Sequence, residues 1–373
     1  MNWLAIPALA AAAYWLLAAV AALRWRSGSG RGTPPAGEFQ PVSILKPVHG
    51  RDPRFYEAIR SHAVQDYPEF EILFGVGNAN DPAIEDIERL QREFPAVRIE
   101  RYVVATDAPN AKTGVLAELA RRARYPLLLV NDSDIRVEAG YLRTVTAPLA
   151  DAAVGLVTCL YRARPDSPAA RAEALGIATE FAPSVMVARL LGQAEFALGS
   201  TMAFRAADLR AAGGFEAIAD YLADDYQLGR RIHTLGRRIE FAPLVVETGL
   251  GACSWGEVWR HQVRWSRTIR VSRSGGYIGY AVTHATVWSG LAFCAGAWQA
   301  GAATLGIRVA AGAISAAALG DRAALRDFWL IPLRDLFGFA VWLAGASGDT
   351  VRWRDRELRL GRDGRIAQRN DRP

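Results

Sequence analysis

The feature that most constrains the fold is a short apolar segment that ends abruptly in two carboxylates. Residues 127–130 read Leu-Leu-Leu-Val, and Asp132 and Asp134 follow closely. So short an apolar run is typical of a buried strand in a parallel sheet. Ligands of open α/β sheets bind at the carboxyl ends of the strands, where paired oxygen ligands suit a divalent metal that holds phosphate. A strand followed by an ordinary polar turn is the alternative.

Strand-like and helix-like segments alternate along the chain up to this point. We expect strands at residues 42–45, 71–76, 97–103 and 127–130, and helices at residues 53–64, 83–94 and 113–124. The first helix is predicted to open at Asp52, with Pro53 in its first turn. The alternation predicts an α/β domain with a Rossmann-like parallel sheet and helices on both faces. No Gly-x-Gly-x-x-Gly follows the first strand, which disfavours a dinucleotide fold of the NAD type.

The N-terminal stretch, residues 3–23, is almost wholly apolar, and Arg24, Arg26 and Arg31 follow it. About 20 apolar residues are enough to span a bilayer. A signal peptide is the alternative, but in a signal peptide the charges precede the apolar stretch. We therefore predict a membrane anchor, and the positive-inside rule places the domain that follows on the cytoplasmic side.

The C-terminal third is also predicted to meet the membrane. Residues 255–273 form a helix rich in Trp and Arg, which suits a bilayer interface. Three apolar segments follow, at about residues 277–298, 300–320 and 328–346. If all three crossed, the basic tail would end outside, against the charge rule. We expect the segment containing Arg308 or Arg334 to be interfacial or re-entrant, so that the tail stays cytoplasmic.

The predicted organisation is therefore a cytoplasmic catalytic domain that is preceded and followed in the sequence by membrane segments. Its parts are an N-terminal anchor at residues 1–30, the α/β domain ending in the interfacial helix at 38–275, C-terminal membrane helices at 276–350 and a basic tail at 351–373.

Composition narrows the compartment and the partners. Three cysteines, odd in number and far apart, disfavour a disulfide framework and fit a reducing compartment. The net charge is +6, and only two of the 44 basic residues are lysines, Lys46 and Lys112. Because the basic excess flanks apolar segments, we expect an anionic membrane surface as the partner and no nucleic acid.

Several short motifs, taken together and in order, resemble the ceramide glucosyltransferase family. The motifs are Pro41-Val42-Ser43-Ile44-Leu45-Lys46-Pro47, Gln65-Asp66-Tyr67-Pro68, Asn80-Asp81-Pro82-Ala83-Ile84, Asn131-Asp132-Ser133-Asp134-Ile135-Arg136-Val137, Asp224-Asp225-Tyr226 and Arg264-Trp265. The resemblance covers roughly residues 40–275. It implies an inverting, membrane-bound glycosyltransferase of type A fold. The glycosyltransferase associated with hopanoid biosynthesis shares these motifs and is the expected closer relative.

The resemblance implies roles on the donor side. Asp81 would accept hydrogen bonds from uracil or ribose, although an ordinary helix N-cap is the alternative. Asp132 and Asp134 would hold Mg2+ or Mn2+ between the phosphates of a UDP-sugar; the family does not always carry the second acid, so Asp132 has more weight. Lys46 and Lys112 stand out in a chain that otherwise uses Arg. We expect them to contact the nucleotide.

The resemblance also implies the base and the acceptor side. Asp225 is the candidate general base that takes the proton of the acceptor hydroxyl, and its neighbour Asp224 is expected to be structural. Arg264 would contact the diphosphate, and Trp265 would pack beneath the acceptor. His261 stands three residues before Arg264, where the family usually has Gln or a basic residue.

The expected acceptor is a membrane lipid with a free hydroxyl. Ceramide-specific members carry a His before the third acidic site, where this chain has Ala182. A hopanoid such as bacteriohopanetetrol therefore fits better, and the Arg bias is typical of a GC-rich bacterium, which places the protein in a bacterial inner membrane. The alternatives are ceramide glucosylation, a processive polysaccharide synthase and an inactive membrane scaffold.

Overall fold

The computed structural model describes residues 3–28, 39–353 and 356–367. Its strands are β1 Val42–Val48, β2 Phe70–Val76, β3 Arg98–Val103, β4 Leu127–Val130, β5 Ile135–Arg136, β6 Val154–Pro165, β7 Met202–Arg205, β8 Arg238–Gly251, β9 Thr350–Trp353, β10 Arg356–Leu360 and β11 Ile366–Ala367. Its helices are α1 Ile6–Gly28, α2 Phe55–Ala63, α3 Ala83–Glu93, α4 Ala111–Arg122, α5 Tyr141–Thr146, α6 Pro168–Gly176, α7 Ala182–Leu190, α8 Ala206–Ala211, α9 Asp224–Thr234, α10 Trp255–Ser272, α11 Ser274–Gly279, α12 Ala285–Cys294, α13 Trp298–Ala318, α14 Arg322–Arg326 and α15 Ile331–Gly345.

The chain divides into two compact units. The sheet unit comprises Ser29–Tyr161 and Ala194–Gly251, and the helical unit comprises Met1–Gly28, Arg162–Gln193 and Ala252–Pro373. The helical unit therefore includes α6 and α7, which lie inside the range predicted for the catalytic domain.

The sheet unit is built on one mixed sheet. Within the described residues its eight strands lie in the order β3-β2-β1-β4-β7-β6-β8-β5. β3, β2, β1 and β4 run parallel to one another, and β7 pairs antiparallel with β4. The predicted parallel α/β sheet is confirmed, and antiparallel strands extend it on one side.

β4 is apolar along its whole length because it is buried on both faces of this sheet. Leu127 and Leu129 face one hydrophobic cluster, together with residues of α2, α3 and α5. Leu128 and Val130 face a second cluster, which contains residues of α4 and α9. The strand begins and ends at the predicted residues, so its carboxyl end delivers the acidic segment to the sheet edge.

The start of α2 differs from the prediction. Arg54 has φ 59° and lies in the left-handed region, so the helix begins only at Phe55. Asp52 does not cap the helix; its carboxylate accepts a hydrogen bond from the hydroxyl of Ser133. Pro53 lies beside the backbone of Gly251, where an added Cβ would come within 2.4 Å of its ring. Tertiary contacts therefore displace the helix start by two residues.

In the helical unit, three helices among the described residues are long and apolar enough to cross a membrane. They are Ile6–Gly28, Trp298–Ala318 and Phe328–Gly345, the last including a turn before α15. The expectation that the segment with Arg308 or Arg334 is interfacial or re-entrant stays a prediction. Both residues lie in spanning-length helices, and the segment near residues 277–298 is broken into α11 and the short α12.

The helix predicted at residues 255–273 is present as α10, opened by a capping box between Ser254 and Glu257; its position at a bilayer interface stays a prediction. Trp255 and Trp259 are exposed on it, as expected for a helix at a bilayer interface. In the predicted basic tail, β9, β10 and β11 form a three-stranded antiparallel sheet. Arg31 and residues 368–373 lie outside the described residues.

Candidate active site

Asp132 and Asp225, far apart in sequence, converge on the backbone of Gly199. The N–H of Gly199 donates to Oδ2 of Asp225 at 2.8 Å, and its carbonyl accepts from the N–H of Asp132 at 3.3 Å. A Cβ at residue 199 would lie 3.0 Å from Oδ2 of Asp132 and 3.4 Å from Oδ2 of Asp225. Gly199 therefore leaves room for both carboxylates. Nothing in the local sequence predicts this role for Gly199.

Lys112 joins this pair to the acid beside the candidate base. Its Nζ lies 2.8 Å from Oδ1 of Asp132 and 3.1 Å from Oδ2 of Asp224. Asp224, expected to be merely structural, is thus an ion-pair partner within the site. Adjacent residues at the start of α9 point their carboxylates to different partners, as expected on a helix.

The position of Lys112 is set by the N-cap of α4. The side-chain oxygen of Asn110 accepts from the N–H groups of Lys112 and Thr113, which an N-cap residue typically does. The amide of the same Asn110 donates to the carbonyl of Tyr221 at 2.8 Å, shortly before Asp224. One buried side chain therefore fastens both Lys112 and the segment that leads to the candidate base.

Burial and neighbouring charges shift the pKa values of Asp225 and Lys112. Burial raises the pKa of Asp225 to about 6, and the negative charge of Asp224 adds to the effect, while Lys112 opposes it. Burial lowers the pKa of Lys112, but the charges of Asp132 and Asp224 outweigh burial and leave that pKa raised. Lys112 is therefore a permanent cation, and Asp225 titrates close to neutrality.

Asp134 lies in a more enclosed environment than Asp132. Its Oδ2 accepts a hydrogen bond from the hydroxyl of Thr248. Burial raises the pKa of Asp134 to about 6, and the negative charge of Asp132 contributes as well. Thr248 comes from β8, and nothing in the local sequence marked it as a partner of the acidic segment.

Lys46 supports the end of β4 from within the core. The residue is completely buried, and its Nζ donates to the backbone carbonyl of Asp132 at 3.2 Å. Burial lowers the pKa of Lys46 to about 7, although Asp134 and Asp132 oppose this shift. The expected contact between Lys46 and the nucleotide stays a prediction.

Asp81 is occupied by backbone groups. Its carboxylate accepts from the N–H of Gly50 at 2.9 Å and from the N–H of Ala83 at 2.9 Å, and the residue is 5% exposed. These contacts fit the N-cap alternative and fasten the turn that follows β1. A direct contact between Asp81 and uracil or ribose stays a prediction.

The remaining predicted residues lie on α10 in the helical unit. The ring centroids of His261 and Trp265 are 4.4 Å apart, and those of Trp265 and Phe181 are 6.3 Å apart. Nδ1 of His261 lies 2.6 Å from Oε1 of Glu173, a buried residue of α6 that sequence analysis missed. Arg264 is partly buried on the same helix.

Asp132 and Asp134 could supply only part of the coordination shell of a divalent metal. Among the described residues there is no group of three or more His, Cys, Asp or Glu side chains that could hold a metal ion. Mg2+ commonly uses one or two carboxylates and takes its other ligands from water and substrate phosphates. Asp132 and Asp134 can supply such a pair. Burial first, and the negative charge of Asp132 second, raise the pKa of Asp134, and a bound cation would oppose both effects.

A sheet whose parallel strands end at carboxylates and continue into antiparallel strands fits the type A glycosyltransferase fold. The structure is similar to that of the mannosyltransferase PcManGT from Pyrobaculum calidifontis in complex with GDP-Man and Mn2+. The TM-score is 0.53 at 19% identity, over 92% of this chain and 97% of that one. The predicted type A fold is confirmed.

Residues 3–366 match glycosyl transferase family 21, and the chain belongs to that family. It is 30% identical over 200 residues to ceramide glucosyltransferase 1 of Caenorhabditis elegans, covering 52% of this chain and 42% of the relative. It is 33% identical over 118 residues to the ceramide glucosyltransferase of Komagataella phaffii, covering 30% of this chain and 23% of the relative. The family inferred from the motifs is confirmed, and in these matches the chain spans less than half of each relative's length.

Proposed function

We propose that the protein transfers a single sugar from UDP-glucose or UDP-N-acetylglucosamine to the hydroxyl of a membrane lipid, with inversion at the anomeric carbon. The observation that carries the proposal is the convergence of Asp132 and Asp225 on Gly199, with Lys112 between Asp132 and Asp224. This convergence supports a general base beside a diphosphate site. Family membership and the three helices of membrane-spanning length support a lipid acceptor.

Asp225 is the proposed general base. It takes the proton of the acceptor hydroxyl as the oxygen attacks the anomeric carbon from the face opposite the leaving diphosphate. The N–H of Gly199 holds Oδ2, which fixes the direction of the carboxylate. With a pKa of about 6, the group is ionised at pH 7 yet more basic than an exposed Asp, which is the range in which a general base is effective.

Lys112, Asp132 and Arg264 are the proposed diphosphate ligands. Lys112 contributes a permanent positive charge, and the planar guanidinium of Arg264 can donate two parallel hydrogen bonds to phosphate oxygens. Asp132 and Asp134 would hold the divalent metal, which when bound offsets negative charge on the departing diphosphate. Asp132 is the more accessible, with 44% of its side chain exposed, and is the stronger candidate. Lys46 and Asp81 are proposed to hold the nucleotide end of the site.

His261 and Trp265 are the proposed acceptor-side residues. The acceptor we favour is a hopanoid polyol such as bacteriohopanetetrol, because the His that ceramide-specific members carry is replaced by Ala182. Ceramide is the second candidate, favoured by the names of the curated relatives. Positive charge behind α1 favours a cytoplasmic catalytic unit on a bacterial inner membrane.

A transfer assay tests the proposal. Membranes containing the full chain receive radiolabelled UDP-glucose or UDP-N-acetylglucosamine, Mn2+ or Mg2+, and either bacteriohopanetetrol or ceramide. We expect one labelled lipid carrying a single sugar, and loss of label on chelation with EDTA. A polymeric product would indicate a polysaccharide synthase. Folded protein that labels no lipid under any combination would leave an inactive scaffold as the better reading.

Two variants assign the roles within the site. Asp225→Asn should lose about 10²–10⁴-fold in kcat, the usual contribution of a general base, while UDP binding measured by calorimetry is retained. Asp132→Asn should weaken binding of UDP in the presence of metal more than Asp134→Asn does. Unchanged turnover in Asp225→Asn would remove the proposed base.

A further inference from the structure

His261 and Glu173 form a carboxylate–imidazole pair in the helical unit. The Nδ1–Oε1 distance is 2.6 Å, and the two side chains are 32% and 3% exposed respectively. A buried carboxylate that contacts one ring nitrogen fixes the orientation of an imidazole. Nδ1 of His261 is engaged by Glu173, and Nε2 on the other side of the ring is left for a further partner.

The surroundings of this pair are aromatic. The ring centroid of Trp265 lies 4.4 Å from that of His261 and 6.3 Å from that of Phe181. Phe181 ends a π-helical turn, Ile177–Phe181, between α6 and α7. Such turns are rare and occur frequently at functional sites. A single oriented polar atom beside large apolar rings suits a ligand that is apolar along its body and carries a hydroxyl at one end.

We propose that the His261–Glu173 pair binds a hydroxyl of the acceptor lipid through a hydrogen bond to Nε2 of His261, with Glu173 acting as a positioning residue. The inference rests on the proposed function for the presence of a lipid acceptor. It adds the acceptor group that is recognised, the atom that recognises it and the residue that orients that atom. Because Glu173 leaves one oriented ring nitrogen of His261 beside an apolar ring, His261 is a specificity-determining residue for a head group that carries hydroxyls.

The test measures acceptor binding without a donor, so that it does not depend on turnover. Purified full-length protein in nonionic detergent is titrated with bacteriohopanetetrol and, separately, with a hopanoid hydrocarbon that lacks hydroxyls. We expect the wild-type protein to bind the polyol more tightly. His261→Phe keeps an aromatic ring beside Trp265 but removes Nε2. It should raise the Kd for the polyol about three- to tenfold, the usual effect of losing one hydrogen bond, and leave the Kd for the hydrocarbon unchanged.

Glu173→Gln tests the positioning role. Because Glu173 acts through His261, the double variant Glu173→Gln/His261→Phe should bind the polyol no more weakly than His261→Phe alone. The double variant also removes the buried carboxylate that His261→Phe leaves without its partner, so a folding defect in the single variant does not decide the outcome. His261→Gln, which restores the residue usual in the family, should recover part of the polyol affinity.

The exposed pair of His233 and Glu195, 3.5 Å apart in the sheet unit, offers a matched control. His233→Phe should change neither Kd. An unchanged polyol Kd in folded His261→Phe, additive effects of the two substitutions, or equal wild-type affinity for polyol and hydrocarbon would each overturn the inference. A sugar-transfer assay run in parallel reports separately on the proposed function, since polyol binding that depends on His261 can be present whether or not sugar is transferred.

Discussion

Nζ of Lys112 lies 2.8 Å from Oδ1 of Asp132, and this contact makes Lys112 the counter-charge of the acidic centre. The same Nζ also reaches Asp224, and the charge of Lys112 lowers the pKa of Asp225 against the effect of burial. A single cation therefore serves three carboxylates. Its removal leaves negative charges facing one another in a partly buried site.

Lys112→Met should consequently destabilise the protein. Hydrogen bonds to charged groups typically contribute about 1.5–3 kcal/mol, so we expect the free energy of unfolding to fall by about 2 kcal/mol at pH 7. The loss should shrink as the pH falls towards 4, because Asp225, whose pKa is raised to about 6, then takes up a proton. Denaturant titration of the purified protein in detergent measures both effects.

Arg121→Met is the matched control for Lys112→Met. Arg121 also contacts two carboxylates, those of Glu118 and Glu216, but its side chain is 61% exposed. Exposed ion pairs contribute little, and a change below about 1 kcal/mol is expected. Equal losses in the two variants would contradict the special position of Lys112.

Gly199→Ala tests the closeness of the two acids. The added Cβ would lie 3.0 Å from Oδ2 of Asp132 and 3.4 Å from Oδ2 of Asp225, so at least the first carboxylate has to shift. A misplacement of about 1 Å in a catalytic site can cost about 10²-fold in rate. The shift required here is smaller, so we expect kcat to fall by up to about tenfold. The measurement is steady-state transfer with thermal melting run alongside.

The control for Gly199→Ala is Gly140→Ala. Gly140 has φ −84°, which any residue adopts, and nothing lies within 4 Å of an added Cβ. This substitution should leave both kcat and the melting temperature unchanged. A Gly199→Ala protein with wild-type kcat would show that the two carboxylates are not held where the reaction needs them.

Local sequence was sufficient to predict the strand that carries the acids. β4 is buried on both faces, so its apolar run reports its environment directly, and the strand starts and stops where composition changes. The partners of the acids were not predictable in the same way. Gly199, Thr248 and Glu173 each contact a site residue that is distant in the sequence. Nothing in the sequence around them predicts these contacts.

The broken segment near residues 277–298 shows a second limit. A run of apolar residues does not distinguish one long helix from two short ones, because both bury the same composition. The break frees backbone carbonyls, which distant and local indoles satisfy: Trp15 donates to Thr283 at 2.9 Å and Trp288 donates to Ala281 at 2.9 Å. Where a helix stops therefore depends here on tertiary contacts.

Asp225→Asn should be more stable than the wild-type protein at neutral pH. The pKa of Asp225 is raised from 3.8 to about 6 in the folded protein, so the folded state holds this proton more tightly than the unfolded state does. Stability is therefore lost as the pH rises from about 4 to about 6 and stays lower above that range. A neutral Asn avoids this loss, because it carries no charge to be desolvated.

We expect the melting temperature of Asp225→Asn to exceed that of the wild type by a few °C at pH 7.5 and to equal it near pH 4. Thermal melts of both proteins in detergent across this range provide the measurement. In parallel, wild-type kcat should rise with pH through about 6, since the base acts in its ionised form. A melting-temperature difference between variant and wild type that does not change between pH 4 and pH 7.5 would contradict the raised pKa.

Arg308 and Asp335 form a buried ion pair inside the helical unit. Their nitrogen–oxygen distance is 2.6 Å, and the side chains are 0% and 2% exposed. The guanidinium also lies 3.8 Å from the centre of the Trp15 ring. Removing one partner of a buried pair leaves an uncompensated charge and typically costs about 3–5 kcal/mol, whereas replacing both by apolar residues is often neutral. Asp335→Leu should therefore lower the melting temperature strongly, and Arg308→Met/Asp335→Leu should recover most of the loss. The exposed pair of Arg359 and Asp349 is the control, and Asp349→Leu should have little effect. A double variant as unstable as Asp335→Leu alone would show that Arg308 holds the helices together through contacts other than this pair.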